Sequence, residues 1–208
     1  MNRNMVPLFF YTEGLHIMVF GGGNVALRKC KYFEGAHITI ISETVSPEIE
    51  NIAETVIKTR IPEDIESFID TAEIVIAATD DRELNDRVRD AALYMGIYVN
   101  SAHGGGNILI PSILRRDKYV VAVSSEGRVP AFPPYMTKEL DGFLSEKYDR
   151  MLDLLIELRK ISKERIPTQH ERRNFLCTVL CDKEISNMVS DGMMNDAKSR
   201  ALRLGGIE

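Results

Sequence analysis

Short apolar runs alternate with polar, helix-forming stretches along the first hundred residues. Five runs rich in β-branched residues occupy residues 15–20, 36–41, 55–59, 73–78 and 97–100. Stretches with helical character lie between or after them, at residues 25–33, 62–70 and 82–95. Strands that alternate with helices at this spacing need right-handed crossovers. The pattern therefore predicts an α/β fold, with a parallel sheet covered by helices on both faces.

The hydrophobic pattern changes after residue 100. Two further β-rich runs occupy residues 108–114 and 119–124, and the polar segment between them begins with Arg115 and Arg116. Two short runs around a polar connection are typical of a β-hairpin. We expect this hairpin either to extend the sheet or to bridge to a partner subunit.

A helical pattern follows the hairpin. From Met136 to about Lys160, apolar residues recur at three- and four-residue steps, which indicates amphipathic helix. Three prolines shortly precede this pattern, so we expect the helix to begin near Tyr135 or Met136. Pro167 then interrupts the chain, and residues 169–203 are expected to form two or three further helices.

The composition fits one domain of ordinary size and a smaller second module. The chain has 208 residues, of which 44% are hydrophobic and 27% are charged, enough apolar surface for a buried core. We divide it into residues 1–135, the α/β domain with its hairpin extension, and residues 136–208, the helical module.

Three features of the sequence bear on the cellular compartment. The chain lacks an apolar run of the length, about 18 residues, that indicates a membrane-spanning helix. Its first residues do not have the basic-then-apolar layout of a secretory signal. The three cysteines form no regular disulfide framework, which fits a reducing compartment. We therefore expect a cytoplasmic protein that does not bind membranes.

The charge is divided unevenly along the chain. Residues 1–110 contain 9 Lys and Arg against 16 Asp and Glu, whereas residues 111–208 contain 17 against 15. An anionic substrate would favour the second part, although solvated helix faces give the same pattern. Without a strongly basic domain or interleaved aromatic residues, we expect no binding to nucleic acid.

Gly21, Gly23 and Ala26 form a G-x-G-x-x-A motif between a predicted strand and a predicted helix. Gly21 would permit the tight turn, Gly23 would let the backbone approach a pyrophosphate, and Ala26 would allow close helix packing. The N–H groups of Asn24 and Val25 would face the phosphates, aided by the helix dipole. In this context the motif predicts a Rossmann-like, dinucleotide-binding domain; without the strand and helix it would indicate only a flexible turn.

An acidic residue about 20 positions after the glycine motif is expected to bind the adenosine ribose in NAD-dependent proteins. Glu43 lies 20 residues after Gly23, and residues 40–50 contain no Lys or Arg that could receive the additional phosphate of NADP. Thr44 can donate a second hydrogen bond there, and Thr79, after the fourth strand, is a further cofactor candidate. The sequence therefore predicts NAD as the cofactor, with a solvated turn at Glu43 and Thr44 as the alternative interpretation.

Several stretches together resemble one enzyme family. They are residues 21–26 with Arg28 and Lys29, residues 77–81 with Asn85, Asn100, residues 110–112, and residues 121–125 with Gly127. In order and spacing they are similar to precorrin-2 dehydrogenase/sirohydrochlorin ferrochelatase, which is also the N-terminal region of siroheme synthases. The resemblance covers residues 5–175 and is much more specific than a glycine motif alone.

The resemblance implies a reaction, a substrate and a partner. The reaction is the NAD-linked oxidation of precorrin-2 to sirohydrochlorin, followed in some members by insertion of ferrous iron. The assembly is a homodimer, in which the helical module contributes to the subunit contact and the active-site cleft. The tetrapyrrole carries many carboxylates, which Arg115 and Arg116 would attract. Asn100 and Ser125 match positions at the substrate end of the cleft, although Ser125 can equally be a turn residue.

One position departs from the family. Members that perform both steps carry an aspartate three residues after the asparagine that ends the fifth strand, whereas this chain has His103 there. A histidine can still take up a proton at neutral pH, so His103 is the candidate catalytic base; a loop histidine without a catalytic role is the alternative. Three glycines follow, at residues 104–106, and indicate a loose loop. Ferrochelatase activity is therefore left open, and no metal-binding site of the protein itself is predicted.

Two other functions compete with this interpretation. One is a non-catalytic, NAD-responsive regulatory protein built on the same domain, since a fold does not fix a function. The family-like motifs that lie beyond the glycine motif argue against it. The other is a chelatase without a redox role, which would need neither the glycine motif nor Glu43. Cys177 and Cys181, one helical turn apart, are expected to be buried rather than to bind metal.

Overall fold

A computed structural model describes residues 5–207, and the chain separates into two compact units, one ending at Ile110 and one beginning at Pro111. The predicted division at residues 135 and 136 differs from this boundary. The hairpin packs against the first helix of the second unit and so belongs to that unit.

From residue 5 onward, five parallel strands form the sheet of the first unit, in the order β3-β2-β1-β4-β5. The strands are β1 (His16–Phe20), β2 (His37–Ile41), β3 (Thr55–Ile57), β4 (Ile74–Ala77) and β5 (Tyr98–Ser101). The helices are α1 (Asn24–Cys30), α2 (Pro47–Glu50), α3 (Glu66–Ile69) and α4 (Arg82–Tyr94). The chain extends from β1 to β3 on one side and continues with β4 and β5 on the other. This topology confirms the predicted Rossmann-like α/β fold.

The first unit has a buried cluster on each face of its sheet. Phe20 and Val75 belong to one cluster, whereas Val19 and Ile76 belong to the other. Neighbouring residues of β1 and β4 therefore point to opposite faces and are buried on both, and all four residues of β4 are buried. Burial on both faces explains why these strands occur in the sequence as continuous apolar runs.

Up to residue 207, the second unit combines a hairpin with five helices. Its elements are β6 (Ser112–Arg115), β7 (Val120–Val123), α5 (Phe132–Phe143), α6 (Glu146–Arg165), α7 (Gln169–Cys181), α8 (Lys183–Ser190) and α9 (Met194–Gly205). The antiparallel β6 and β7 form a separate two-stranded sheet and do not extend the parallel one. Buried residues of α6 to α9 form the hydrophobic core of this unit. Within residues 5–207, no helix combines the length and apolar character needed to cross a membrane.

The structure corrects two predictions for the second unit. Helix α5 begins at Phe132, earlier than expected, with Pro133 and Pro134 in its first turn. Proline is tolerated there because the first backbone N–H groups of a helix have no partner within the helix. Cys177 and Cys181 are exposed rather than buried, since α7 presents this side to solvent and packs through Phe175 and Val179.

Candidate dinucleotide site

The turn between β1 and α1 leaves no room for side chains at its first two glycines. Gly21 has a φ of +115°, and a Cβ atom on it would lie 2.4 Å from the carbonyl oxygen of Ala78. A Cβ on Gly22 would lie 2.0 Å from the carbonyl oxygen of Thr44. The carbonyl of Gly22 also accepts a hydrogen bond of 3.1 Å from the N–H of Ser46. The glycine turn is therefore held closely against the residues that follow β2 and β4.

Gly23, by contrast, faces open space. A Cβ atom on Gly23 would meet nothing within 4 Å, although this residue lies directly at the start of α1. No side chain among the described residues caps this helix, and Leu27 is the residue whose N–H donates to the Gly23 carbonyl. The preceding N–H groups of Asn24 and Val25 are thus available to a ligand. An open approach next to uncapped N–H groups fits the pyrophosphate of a dinucleotide.

Glu43 and Thr44 lie on the exposed loop after β2. The contact between Gly22 and the Thr44 carbonyl places this loop beside the glycine turn. The hydroxyl of Ser42 donates to the same carbonyl at 2.8 Å and helps to fix the loop. The position agrees with the predicted contact to the adenosine ribose, which stays a prediction.

Thr79 follows β4 and is bound by the protein itself. Its N–H donates to Oδ1 of Asn85 at 3.0 Å, and its hydroxyl lies 3.0 Å from the same Oδ1 and from the Asp81 carbonyl. The side chain of Asp81 caps α4 by accepting from the N–H of Leu84. Thr79 therefore organises the start of α4, and a contact with the cofactor is an additional role that we propose below.

His103 lies on the exposed turn after β5. Its Nδ1 atom is 2.8 Å from Nδ2 of Asn85, and its backbone N–H donates to the hydroxyl of Ser101 at 3.3 Å. Asn85 thus joins the residues after β4 to the residues after β5. Asn85 is one of the residues of the family resemblance, but no pattern in the sequence indicates its contact with His103.

The loop after His103 is tightly held, contrary to the loose loop expected from its glycines. Gly104 and Gly105 both have positive φ values, which side chains rarely allow. A Cβ on Gly106 would lie 2.2 Å from the carbonyl oxygen of Val99. Asn107 pairs with Val99, accepting its N–H at 2.7 Å through Oδ1 and donating its own N–H to the Val99 carbonyl. The glycines are needed because the loop folds back against β5.

The side chain of Asn100 is buried in the interior of the first unit and does not lie on its surface. Only 6% of Asn100 is exposed. Its Oδ1 accepts a hydrogen bond from the Lys29 amine, and its Nδ2 donates to the carbonyl of Ile108 at 3.1 Å. Both ends of the amide are occupied by the protein, so we infer that Asn100 holds α1 and the loop after β5 in place. Its predicted contact with substrate is not needed to explain its environment.

The Lys29 amine is half-buried and hydrogen-bonded to a neutral amide. Among residues 5–207, no carboxylate forms an ion pair with it. Burial, and secondarily the positive charge of Arg28, lower the pKa of Lys29 from 10.5 to about 8. Burial disfavours the charged form because it removes water from the ammonium group.

A measurable pH dependence follows from Lys29. The unfolded chain binds this proton more tightly than the folded chain, so the contribution of Lys29 to the free energy of unfolding should rise with pH between about 8 and 10.5. The raised pKa of the neighbouring Cys30 thiol acts in the opposite direction, so the contribution of Lys29 is the difference between wild type and a variant without this amine. We expect Lys29→Met to remove this rise, which is on the order of 1 kcal/mol. The measurement is urea unfolding from about pH 7 to about pH 10, with Lys31→Met at an exposed position of the same region as control. An identical pH dependence for wild type and Lys29→Met would contradict the assignment.

The predicted substrate residues of the second unit have different environments. Arg115 is exposed at the end of β6. Arg116 donates to the carbonyl of Leu144 at 2.9 Å and forms an ion pair of 2.8 Å with Asp141, so it fastens the hairpin to the end of α5. The hydroxyl of Ser125 donates to the carbonyl of Val129 at 3.0 Å, within its own turn. Of the three, Arg115 is the side chain most available to an anionic ligand.

No metal site of the protein emerges from the described part of the chain. Between residues 5 and 207, no group of three or more His, Cys, Asp or Glu side chains is arranged to hold a metal ion. The exposed Cys177 and Cys181 are free thiols, and the described residues supply no further ligands around them.

The fold and the glycine turn together define a dinucleotide-binding protein. A family model described as putative NAD(P)-binding matches residues 8–112, and the chain belongs to this family. Membership confirms the prediction of a nicotinamide dinucleotide cofactor.

Known proteins similar to this chain extend the comparison to its second unit. The precorrin-2 dehydrogenase of Methanosarcina barkeri is 29% identical over 91% of this chain and 88% of its own length. The siroheme synthase of Psychrobacter cryohalolentis is 30% identical over 93% of this chain, which spans only 38% of that longer protein. Among solved structures, SirC, a precorrin-2 dehydrogenase, has 23% identity and a TM-score of 0.73, covering 96% of this chain and all of SirC. These matches confirm the resemblance found in the sequence motifs, and the last confirms the fold.

Proposed function

We propose that this protein oxidises precorrin-2 to sirohydrochlorin with NAD as the hydride acceptor. One observation carries the proposal: a glycine turn with open space at Gly23 occurs in a chain that matches a precorrin-2 dehydrogenase over 88% of the length of that enzyme. The match includes the second unit, which a dinucleotide-binding sensor alone would not need. An oxidoreductase therefore accounts for more of the chain than a regulatory protein does.

The first unit supplies the cofactor site in this proposal. The N–H groups of Asn24 and Val25 bind the pyrophosphate, which approaches over Gly23. Glu43 accepts hydrogen bonds from the adenosine ribose, and Thr44 donates to the same region. Thr79 lines the edge of the site at the carboxyl end of β4. NAD held by these residues would supply the hydride acceptor, and the protein would orient the substrate and handle the accompanying proton.

Candidate substrate residues lie in each of the two units. His103 is the exposed group after β5 that can exchange or share a proton with the tetrapyrrole. Arg115 attracts carboxylates of the substrate, and Arg116 adds positive charge while it holds α5. Ser125 and Asn100 are secondary candidates, because their side chains already bind other parts of the protein.

A homodimer in the cytoplasm is part of the proposal. Helix α5 buries none of its residues, and Phe132, Tyr135 and Phe143 on it are 47%, 58% and 66% exposed. Exposed aromatic side chains on one helix are typical of a contact surface. The three free cysteines fit a reducing compartment.

The deciding experiment is an anaerobic assay with purified protein, precorrin-2 and NAD. We expect sirohydrochlorin and NADH to form in equal amounts. Absence of NADH would favour the regulatory alternative. Ferrous or cobaltous ion is then added: further conversion would establish chelatase activity, and its absence would establish a dehydrogenase alone.

Cofactor preference gives a separate prediction for Glu43. The Glu43→Ala variant loses a charged acceptor for the ribose hydroxyl, so we expect its kcat/KM with NAD to fall about tenfold. Activity with NADP should fall less, because that cofactor carries a phosphate at this position. Glu48→Ala, on the exposed first turn of α2, is the matched control. Equal kcat/KM values for NAD in wild type and Glu43→Ala would place the ribose elsewhere.

A further inference from the structure

The orientation of the buried Asn85 amide is fixed by the backbone of Thr79. Asn85 is completely buried, and its Oδ1 lies 3.0 Å from the N–H of Thr79. A backbone N–H can only donate, so the atom that faces it must be the amide oxygen. The other end, Nδ2, donates to the Thr79 carbonyl at 2.9 Å. Rotating the amide would break both bonds in a buried position, which is costly.

The second hydrogen of the Asn85 amide determines which ring nitrogen of His103 carries hydrogen. Nδ2 of Asn85 lies 2.8 Å from Nδ1 of His103. Because Nδ2 has hydrogens and no lone pair to offer, Nδ1 must accept the bond. A neutral imidazole has one protonated nitrogen, and here that nitrogen is Nε2.

The backbone around His103 supports the same arrangement. The N–H of His103 donates to the Ser101 hydroxyl at 3.3 Å, and the N–H of Gly104 donates to the Ser101 carbonyl at 3.2 Å. The turn therefore brings the ring to Asn85 from a fixed position. Among the described residues, Nε2 of His103 has no hydrogen-bond partner, and the imidazole is exposed.

We infer that Asn85 is a positioning residue that holds His103 as the Nε2–H tautomer, so that the ring donates a hydrogen bond to a carboxylate of its substrate instead of accepting a proton from it. The inference rests on the proposed function for the identity of that substrate and revises the role of His103 in it. An Nε2 atom that carries hydrogen has no lone pair for a proton or a metal ion. In this tautomer, Nε2 therefore cannot act as a ligand for an incoming metal ion.

The tautomer can be read directly by NMR. Protein labelled with ¹⁵N-histidine is studied at about pH 8, where a histidine is largely neutral. The signals of His103 are those lost in His103→Gln. We expect long-range ¹H–¹⁵N correlations in the pattern of an Nε2–H ring. An Nδ1–H pattern, or rapid averaging of the two tautomers in the wild type, would overturn the inference.

The Asn85→Asp variant tests whether Asn85 is the cause. A carboxylate at this position accepts from the Thr79 N–H and from the ring, so His103 should change to the Nδ1–H tautomer. An unchanged Nε2–H tautomer in a folded Asn85→Asp protein would show that another group sets it. The wild-type spectrum remains decisive if this variant does not fold.

Kinetics separate a donor from a base at position 103. His103→Gln keeps a side-chain N–H donor, whereas His103→Glu offers only acceptors when ionised. If His103 donates to substrate, KM should rise about tenfold more in His103→Glu than in His103→Gln. If His103 acts as a base instead, kcat should be lost in His103→Gln and partly kept in His103→Glu. If wild-type protein forms no NADH, the proposed function fails while the NMR result on the tautomer stands.

Discussion

Replacing Gly23 by valine is expected to abolish detectable NAD binding while the protein remains folded. Gly23 has φ −94° and ψ −172°, extended values that any residue can adopt, and a Cβ atom there meets no protein atom within 4 Å. The valine side chain would instead occupy the space through which the pyrophosphate approaches Asn24 and Val25. We expect at least about a hundredfold loss of affinity, measured by titration calorimetry.

The control for Gly23→Val is Gly142→Val, which also faces open space but lies on α5 in the second unit. Its affinity for NAD should equal that of the wild type. Thermal unfolding of Gly23→Val should show only the loss of roughly 1 kcal/mol expected when Gly is replaced at a helix N-cap, because the added Cβ meets no described atom within 4 Å. Unchanged NAD affinity in Gly23→Val would refute the position that we assign to the pyrophosphate.

The opposite behaviour is expected for Gly21→Ala, two residues earlier. The added Cβ would lie 2.4 Å from the Ala78 carbonyl oxygen, and the residue would have to keep a φ of +115°. Steric overlap with backbone and a disfavoured conformation together should cost about 3 kcal/mol or more. For a chain of this size the melting temperature should fall by roughly 6–12 °C.

Gly23→Ala is the matched comparison for Gly21→Ala, since it adds the same methyl group to the same turn in open space. Differential scanning calorimetry without NAD should show a large decrease for Gly21→Ala and little change for Gly23→Ala. Similar melting temperatures for the two variants would mean that the turn relaxes around the added methyl.

The sequence predicted the parallel sheet because its central strands are buried on both faces. β1 and β4 occur as uninterrupted apolar runs, and the helices between strands have polar outer faces. The start of α5 was predicted too late, because the preference against proline inside helices was applied to a first turn, where it does not hold. The cysteines of α7 were placed on the wrong side, since residue type alone does not show which face of a helix is covered.

Candidate cofactor residues could be proposed from the sequence where local spacing defines them. The roles assigned to Gly21, Gly23 and Glu43 depend on short spacing around one turn and one strand. Contacts between distant residues were missed, because no local pattern encodes them. Lys29 and Asn100 are separated by 71 residues, and Asn85 and His103 by 18. These amide contacts orient the side chains of candidate site residues, so a sequence pattern alone does not show which of their atoms are exposed.

The separation of the buried clusters has a consequence for how the chain can change over generations. Two clusters lie wholly before the boundary at Ile110 and the third lies wholly after it. Recombination between related genes at this boundary would divide none of the three clusters. Each half of the chain can therefore drift or be inherited from a different parent with its own interior packing preserved.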